Sequence, residues 1–250
     1  MNLREIINLV LFKNKKYELV KNNFITQYFP KSELKFEVDH IIAHQLMYAK
    51  DFFFMQVGAN DGKSRDPIYN LIKESEIAGV LLEPIPFYFK GLQENYAGRK
   101  NITLLNIALH PTESEITMYK IDEEAVGKNG VPVWASGIST FDKRIMEKHC
   151  KDIPDYEKYL ATEKVKCTTF ESIIEENNIS KIDLLLIDTE GFDYEIIKMI
   201  DFTKIKPSII RFEHNHLIKE DLHSCINILA SVGYKLFHEK RDITAYYCEN

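Results

Sequence analysis

"YKLFHEKRDITAYY", residues 234–247, sets two short aromatic and β-branched runs on either side of the polar stretch His238-Glu-Lys-Arg-Asp242. So short a connection cannot carry a crossover between parallel strands, so the runs at 234–237 and 243–247 must pair antiparallel. Upstream the pattern differs. Apolar runs at 52–57, 79–83, 102–108, 182–187 and 208–212 alternate with segments of helical spacing. Ile68, Leu71 and Ile72 follow the first run, and Phe89, Leu92 and Tyr96 the second. Residues 194–200 follow the fourth, and Leu222, Cys225, Ile226 and Leu229 line a helix stopped at Gly233. Asp66 and Pro67 read as the N-cap and first residue of the first helix, and Thr168 with Glu171 as a capping box. The alternation predicts a seven-stranded, mostly parallel sheet with helices on both faces, closed by an antiparallel hairpin.

Two regions lie outside that rhythm. Residues 111–167 form an insertion: 115–121 alternates like an exposed strand, and 122–167 is polar, with Gly127, Gly130, Gly137 and the single tryptophan, Trp134. Trp134, Phe141 and the stretch 136–139 read as a substrate lid, the alternative being ordinary insertion core. Residues 1–50 read as a helical extension ahead of a 51–250 sheet domain. Leu3, Ile6, Ile7, Val10 and Leu11 make an amphipathic face that packs on the body or pairs with a second copy as a homodimer.

The chain has 250 residues, 45% hydrophobic and 28% charged, with a net charge of −6, which describes a globular α/β protein and argues against a nucleic-acid partner. Cys150, Cys167, Cys225 and Cys248 show no C-x-x-C spacing, so reduced thiols in a cytoplasmic protein are expected. No apolar stretch is long enough for a transmembrane segment. His40 and His44 have metal-ligand spacing on a presumed helix but no nearby acidic third ligand.

Ligands of open α/β sheets bind at the carboxyl ends of the strands, so those ends carry the functional reading. They are Gly58-Ala-Asn-Asp-Gly62, Glu83-Pro84, Ala108-Leu-His110, Asp188-Thr-Glu190-Gly191 and Glu213-His214-Asn215-His216. Glu83 lies 25 residues beyond Gly58, close to the spacing of an acid that binds a ribose diol. A pyrophosphate cradle asks for G-x-G-x-x-G with a helix N-terminus behind it. Here the turn is G-x-x-x-G and the helical pattern begins only at Asp66-Pro67, which suits a nucleoside without phosphates. Gly58 and Gly62 could also be plain turn glycines, Glu83 a cap for the following helix, and Asp188 and Glu190 caps for the helix near Phe192.

The sheet with its terminal hairpin resembles the Rossmann-like class I methyltransferases. Val57-Gly-Ala-Asn-Asp-Gly62, Leu82-Glu-Pro84, Asn106-Ile-Ala-Leu109, Ile187-Asp-Thr-Glu-Gly191 and Arg211-Phe-Glu-His214 resemble the motifs of FkbM family methyltransferases, in order over residues 52–218. The resemblance implies S-adenosylmethionine as cofactor. It places Gly58, Ala59, Asn60 and Gly62 at its methionine part, Glu83 with Pro84 at the ribose, and Asn106 to Ala108 beside the adenine. Gln56 stands where the family usually has an acid, and would hydrogen-bond the methionyl end. The implied reaction is O-methylation of a hydroxyl on a sugar, glycan or natural-product acceptor. Asp188, Glu190 or His214 would act as base, or Asp188 with Glu213 would hold a divalent metal ion. A nicotinamide-dependent oxidoreductase and an inactive binding module are the alternatives, the first disfavoured by the missing glycine.

Overall fold

The computed structural model describes Ile42, residues 51–238 and residues 241–247. The N-terminal face, its dimer and the His40–His44 pair lie outside the described residues. The main sheet has seven strands: β1 (Phe53–Val57), β2 (Ala78–Leu82), β3 (Ile102–Leu105), β8 (Leu184–Ile187), β9 (Ile209–Glu213), β10 (Tyr234–His238) and β11 (Asp242–Tyr247). Their order is β10-β11-β9-β8-β1-β2-β3, with β11 antiparallel to both its neighbours and the remaining pairs parallel. This is the class I methyltransferase arrangement. The terminal hairpin pairs Tyr234 with Tyr247 and His238 with Ile243, and β11 inserts between β9 and β10.

Side-chain parity explains the two layers of helices. Met55, Val57, Val80, Leu82, Leu185 and Ile187 face one way, and Phe54, Leu81, Leu184 and Leu186 the other. The first set packs with Ile173, Ile196, Ile197, Cys225 and Leu229 of the helices α4 (Phe170–Glu176), α5 (Asp193–Met199) and α6 (Lys219–Ser231). The second packs on Ile68, Ile72, Leu92 and Tyr96, from in and around α1 (Tyr69–Glu74) and α2 (Pro86–Asn95). Strands buried on both sides read as continuous apolar runs, which is why the sequence shows them so clearly.

Three local readings need correction. The helix after β1 starts at Tyr69, two residues later than expected; the Asp66 carboxylate accepts from Ile68 N and from the Gln56 amide just ahead of it. The cap of α4 is Thr169, whose hydroxyl accepts from Ser172 N; Thr168 is still paired with Leu109. The third apolar run is two strands. β3 ends at Leu105, Asn106 turns the chain by donating Nδ2 to the carbonyls of Glu83 and Pro84, and β4 (Ala108–Leu109) joins a different sheet.

That second sheet has the order β4-β7-β5-β6, adding β5 (Glu115–Ile121), β6 (Ser139–Thr140) and β7 (Leu160–Thr168). The helix α3 (Lys143–Cys150) packs beside it, with Asp142 capping Arg144 N. The insertion is therefore structured where the sequence suggested a loop. Ile121, Ala125, Val131, Ala135, Ile138, Met146, Cys150 and Ile153 form a core of its own. Among the described residues no helix is long and apolar enough to cross a membrane.

Candidate active site

β1 leaves the sheet through Gly58, whose φ is +83°. A Cβ there would stand 1.9 Å from the Asp188 carbonyl oxygen, so only glycine lets this turn lie against the end of β8. Gly58 N and Ala59 N both donate to Leu82 O, at 3.0 and 2.9 Å. Glu83, 4% exposed, closes the turn: Oε2 accepts from Asn60 N and Oε1 from Ile85 N, each at 2.8 Å. One carboxylate thus fixes both the Gly58 turn and the entrance of α2. Burial pushes it up to about 7 against the pull of those two N–H groups. Gln56 is buried on the α1 side, where Nε2 donates to Asp66 Oδ2 at 2.7 Å and Oε1 has no partner. An acid at position 56 would oppose two carboxylates at that distance; the amide turns the contact into a hydrogen bond.

The opposite wall is acidic. Asp188 follows β8 and is reached by solvent from the cavity while protein crowds its other sides. Burial, then Glu190, Asp193 and Asp242, hold its carboxyl well above the usual range, with Arg211 opposing. Glu213 ends β9 and is pushed up to about 9 by burial, then by Asp188, Glu190, Asp193 and Asp242. Behind them the fully buried Asp193 accepts from Thr189 Oγ1 at 2.8 Å and from Glu213 N at 3.1 Å, bracing β8 against β9. His216 Nε2 lies 3.3 Å from both Glu190 Oε2 and Glu213 Oε2, and His149 Nε2 lies 3.2 Å from Glu190 Oε2. Burial, more than the surrounding charges, draws His216 down to about 4. With imidazole and carboxyl each held neutral, the His216–Glu213 contact is not an ion pair at neutral pH.

These walls enclose a cavity of about 1240 Å³, above the usual range of roughly 300–1,000 Å³ for one small ligand. Gln56, Gly58, Ala59, Asn60, Glu83, Pro84, Ala108, Asp188, Glu190 and Glu213 all line it. The insertion supplies the roof with Trp134, Ile138 and Phe141, and Thr140 Oγ1 donates to Glu190 O at 2.9 Å to pin roof to sheet.

Three expected residues lie elsewhere. Gly62 packs under α2, where a Cβ would meet Leu92 at 2.3 Å and Tyr96 at 2.6 Å. Asn106 works from behind, through the Glu83 and Pro84 carbonyls. His214 follows Glu213 on the strand path, so alternation turns it to the other face, where its Nε2 meets His238 Nε2 at 3.0 Å. His149 and His216 were missed. His216 was visible beside His214, but strand parity would group the two; the turn at Asn215–His216, closed by Leu217 N on His214 O, brings it back to Glu213. His149 sits on α3, and no spacing in the sequence joins it to Glu190.

The family model described as the methyltransferase FkbM domain matches residues 56–236. Among solved structures, the FkbM methyltransferase of Methylobacillus flagellatus is 15% identical with a TM-score of 0.48, over 79% of this chain and 44% of that one. This chain therefore spans less than half of that protein's length. The precorrin-6y C5,15-methyltransferase of Geobacter metallireducens is 15% identical (TM-score 0.38, 93% of this chain, 95% of that one). The fibrillarin pre-rRNA processing protein of Methanococcus jannaschii is 13% identical (TM-score 0.39, 95% and 86%). No curated protein matches the chain.

Proposed function

The chain belongs to the FkbM methyltransferase family, and from that premise we propose that it methylates a hydroxyl oxygen of a sugar, glycan or natural-product acceptor. Family membership implies S-adenosylmethionine as the methyl donor and sets the oxidoreductase alternative aside. The residues present suit that group. Gly58 leaves open a space that a side chain would fill, and Asn60, Glu83 and Pro84 line the same wall. The Glu83 carboxylate keeps lone pairs free for ribose hydroxyls after accepting its two backbone N–H bonds. When bound, S-adenosylmethionine supplies a methyl group already activated by its sulfonium charge.

The observation that carries the oxygen assignment is the contact between the Gly58 turn and the Asp188 main chain. It sets the donor's turn beside the most exposed carboxylate of the acidic wall. A hydroxyl is a weak nucleophile until its proton leaves as the new bond forms. Asp188 takes that proton in its ionised form, as a carboxylate made more basic by its raised pKa. His214, outside the cavity, is not placed to serve. A net charge of −6 and the acidic wall favour a neutral or cationic acceptor over a nucleic acid.

Calorimetry with S-adenosylhomocysteine and with NAD, followed by methyl transfer to sugar hydroxyls, tests the reading. Asp188→Asn keeps the shape and removes the basicity, so turnover should fall about a hundredfold or more with cofactor affinity little changed. An Asp188→Asn protein that keeps most of its turnover would remove Asp188 from the mechanism.

A further inference from the structure

Four side-chain atoms are linked by a chain of close contacts where the roof meets the sheet. His149 Nε2 comes from α3, Glu190 Oε2 from the turn after β8, and Glu213 Oε2 and His216 Nε2 from the end of β9. His149 Nε2, Glu190 Oε2 and Glu213 Oε2 are sealed from solvent and have no hydrogen-bond partner, and Glu213 is only 8% exposed. Buried polar atoms left unpaired are costly, so a convergent set of them points to something that binds them together.

The spacing says what. Ligand atoms placed tetrahedrally about an ion at bonds of about 2.0–2.1 Å lie roughly 3.3–3.4 Å apart, whereas adjacent octahedral ligands at such bonds lie roughly 2.9 Å apart. Here His149 and His216 stand 3.2 and 3.3 Å from Glu190 Oε2, and the three ligand atoms all lie within 4.8 Å of one another. Two imidazoles with one carboxylate are a donor set for zinc-class ions; calcium and magnesium prefer oxygen alone.

We propose that His149, Glu190 and His216 form a binding site for one divalent transition-metal ion, with Glu213 beside His216, opening on the acceptor end of the cavity. Asp188 and Glu190 also belong to one carboxylate group with Glu213, so an ion held there lies next to the residue assigned as base. Its use rests on the methyltransferase reading, since a cation beside an acceptor would bind its oxygens and lower a hydroxyl pKa. Its existence does not. The site also gives α3 a second task, because metal binding would tie the insertion to the sheet through His149.

The test is a cobalt(II) titration of the full chain, stripped with a chelator and followed by visible absorption, with zinc as competitor. One cobalt per chain is expected, with the strong bands of tetrahedral coordination, displaced by zinc. Outer-shell changes at metal sites typically cost about 10–100-fold in affinity, so losing a direct ligand through His149→Ala or His216→Ala should cost at least about a hundredfold. S-adenosylhomocysteine affinity should stay unchanged in both. No stoichiometric uptake by the wild type, weak octahedral bands, or uptake that survives both substitutions would overturn the site. Should either variant fail to fold, the wild-type spectrum and stoichiometry still decide. Cobalt uptake without S-adenosylhomocysteine binding would leave the metal site standing and remove the proposed function; the reverse result would do the opposite.

Discussion

Glu83→Gln isolates the carboxylate on which the Gly58–Asn60 turn depends. No cation faces Glu83; two backbone N–H groups and burial make its environment, and its pKa stands at about 7 against an ordinary 4.5. The folded protein therefore holds this proton more tightly than the unfolded chain. The stability so gained is complete below about pH 4.5 and is lost as pH rises through about 7. At roughly 1.4 kcal/mol per pH unit, that interval amounts to about 3 kcal/mol. The glutamine side chain does not titrate, so the variant loses this pH dependence. Its NH₂ must face one of the two N–H donors, which costs about 1–3 kcal/mol at every pH. Glu83→Gln should then be less stable than wild type near pH 5 by about 1–3 kcal/mol and equal or slightly more stable near pH 8. Urea unfolding across that range measures it. Asp193 at about 7 and Glu213 at about 9 tilt both proteins the same way, so only the difference between the curves is diagnostic. Two parallel curves would refute the placement of a buried, uncompensated carboxylate at Glu83.

Gly58→Ala should unfold earlier and lose measurable S-adenosylhomocysteine binding, because its Cβ collides with the Asp188 carbonyl at 1.9 Å and its φ of +83° adds about 1–2 kcal/mol of strain. A variant with wild-type melting and affinity would show that the turn is not pressed against β8. Hydrogen exchange on adding cofactor and acceptor should protect the roof around Trp134 and Ile138, while Ile121, Met146 and Cys150 are slow in both states because they lie in a closed core. Uniform change across 122–167 would instead mean that the insertion moves as one piece.

The main sheet was legible because its strands are buried on both faces, and because the short 238–242 connection leaves no route but a hairpin. The break after Leu105 was not, since its cause is the Asn106 side chain reaching carbonyls 23 and 22 residues away. β7 was passed over because Glu163, Lys164 and Lys166 make it look like polar loop, although Val165 and Cys167 face inward in strict alternation. Strand ends located the cavity and most of its wall. Parity of a strand end decides between His214 and Glu213, and a one-residue error in β9 would have reversed it. The part played by His149 depends on how α3 folds back over the sheet, a tertiary fact that no local pattern encodes.

The turn at Asn106 also divides the labour of inheritance in this chain. By passing from one sheet to another there, the polypeptide builds the sheet-side wall of the cavity and its roof from separate hydrophobic interiors. Residues such as Val133 and Trp134, 70% and 41% exposed, can vary without disturbing the packing that fixes Gly58 and Glu83. A lineage with such a scaffold can redecorate the roof of the cavity while the wall at Gly58 and Glu83 stays the same. The seam between them, where Thr140 holds Glu190, is the place where such change is least free.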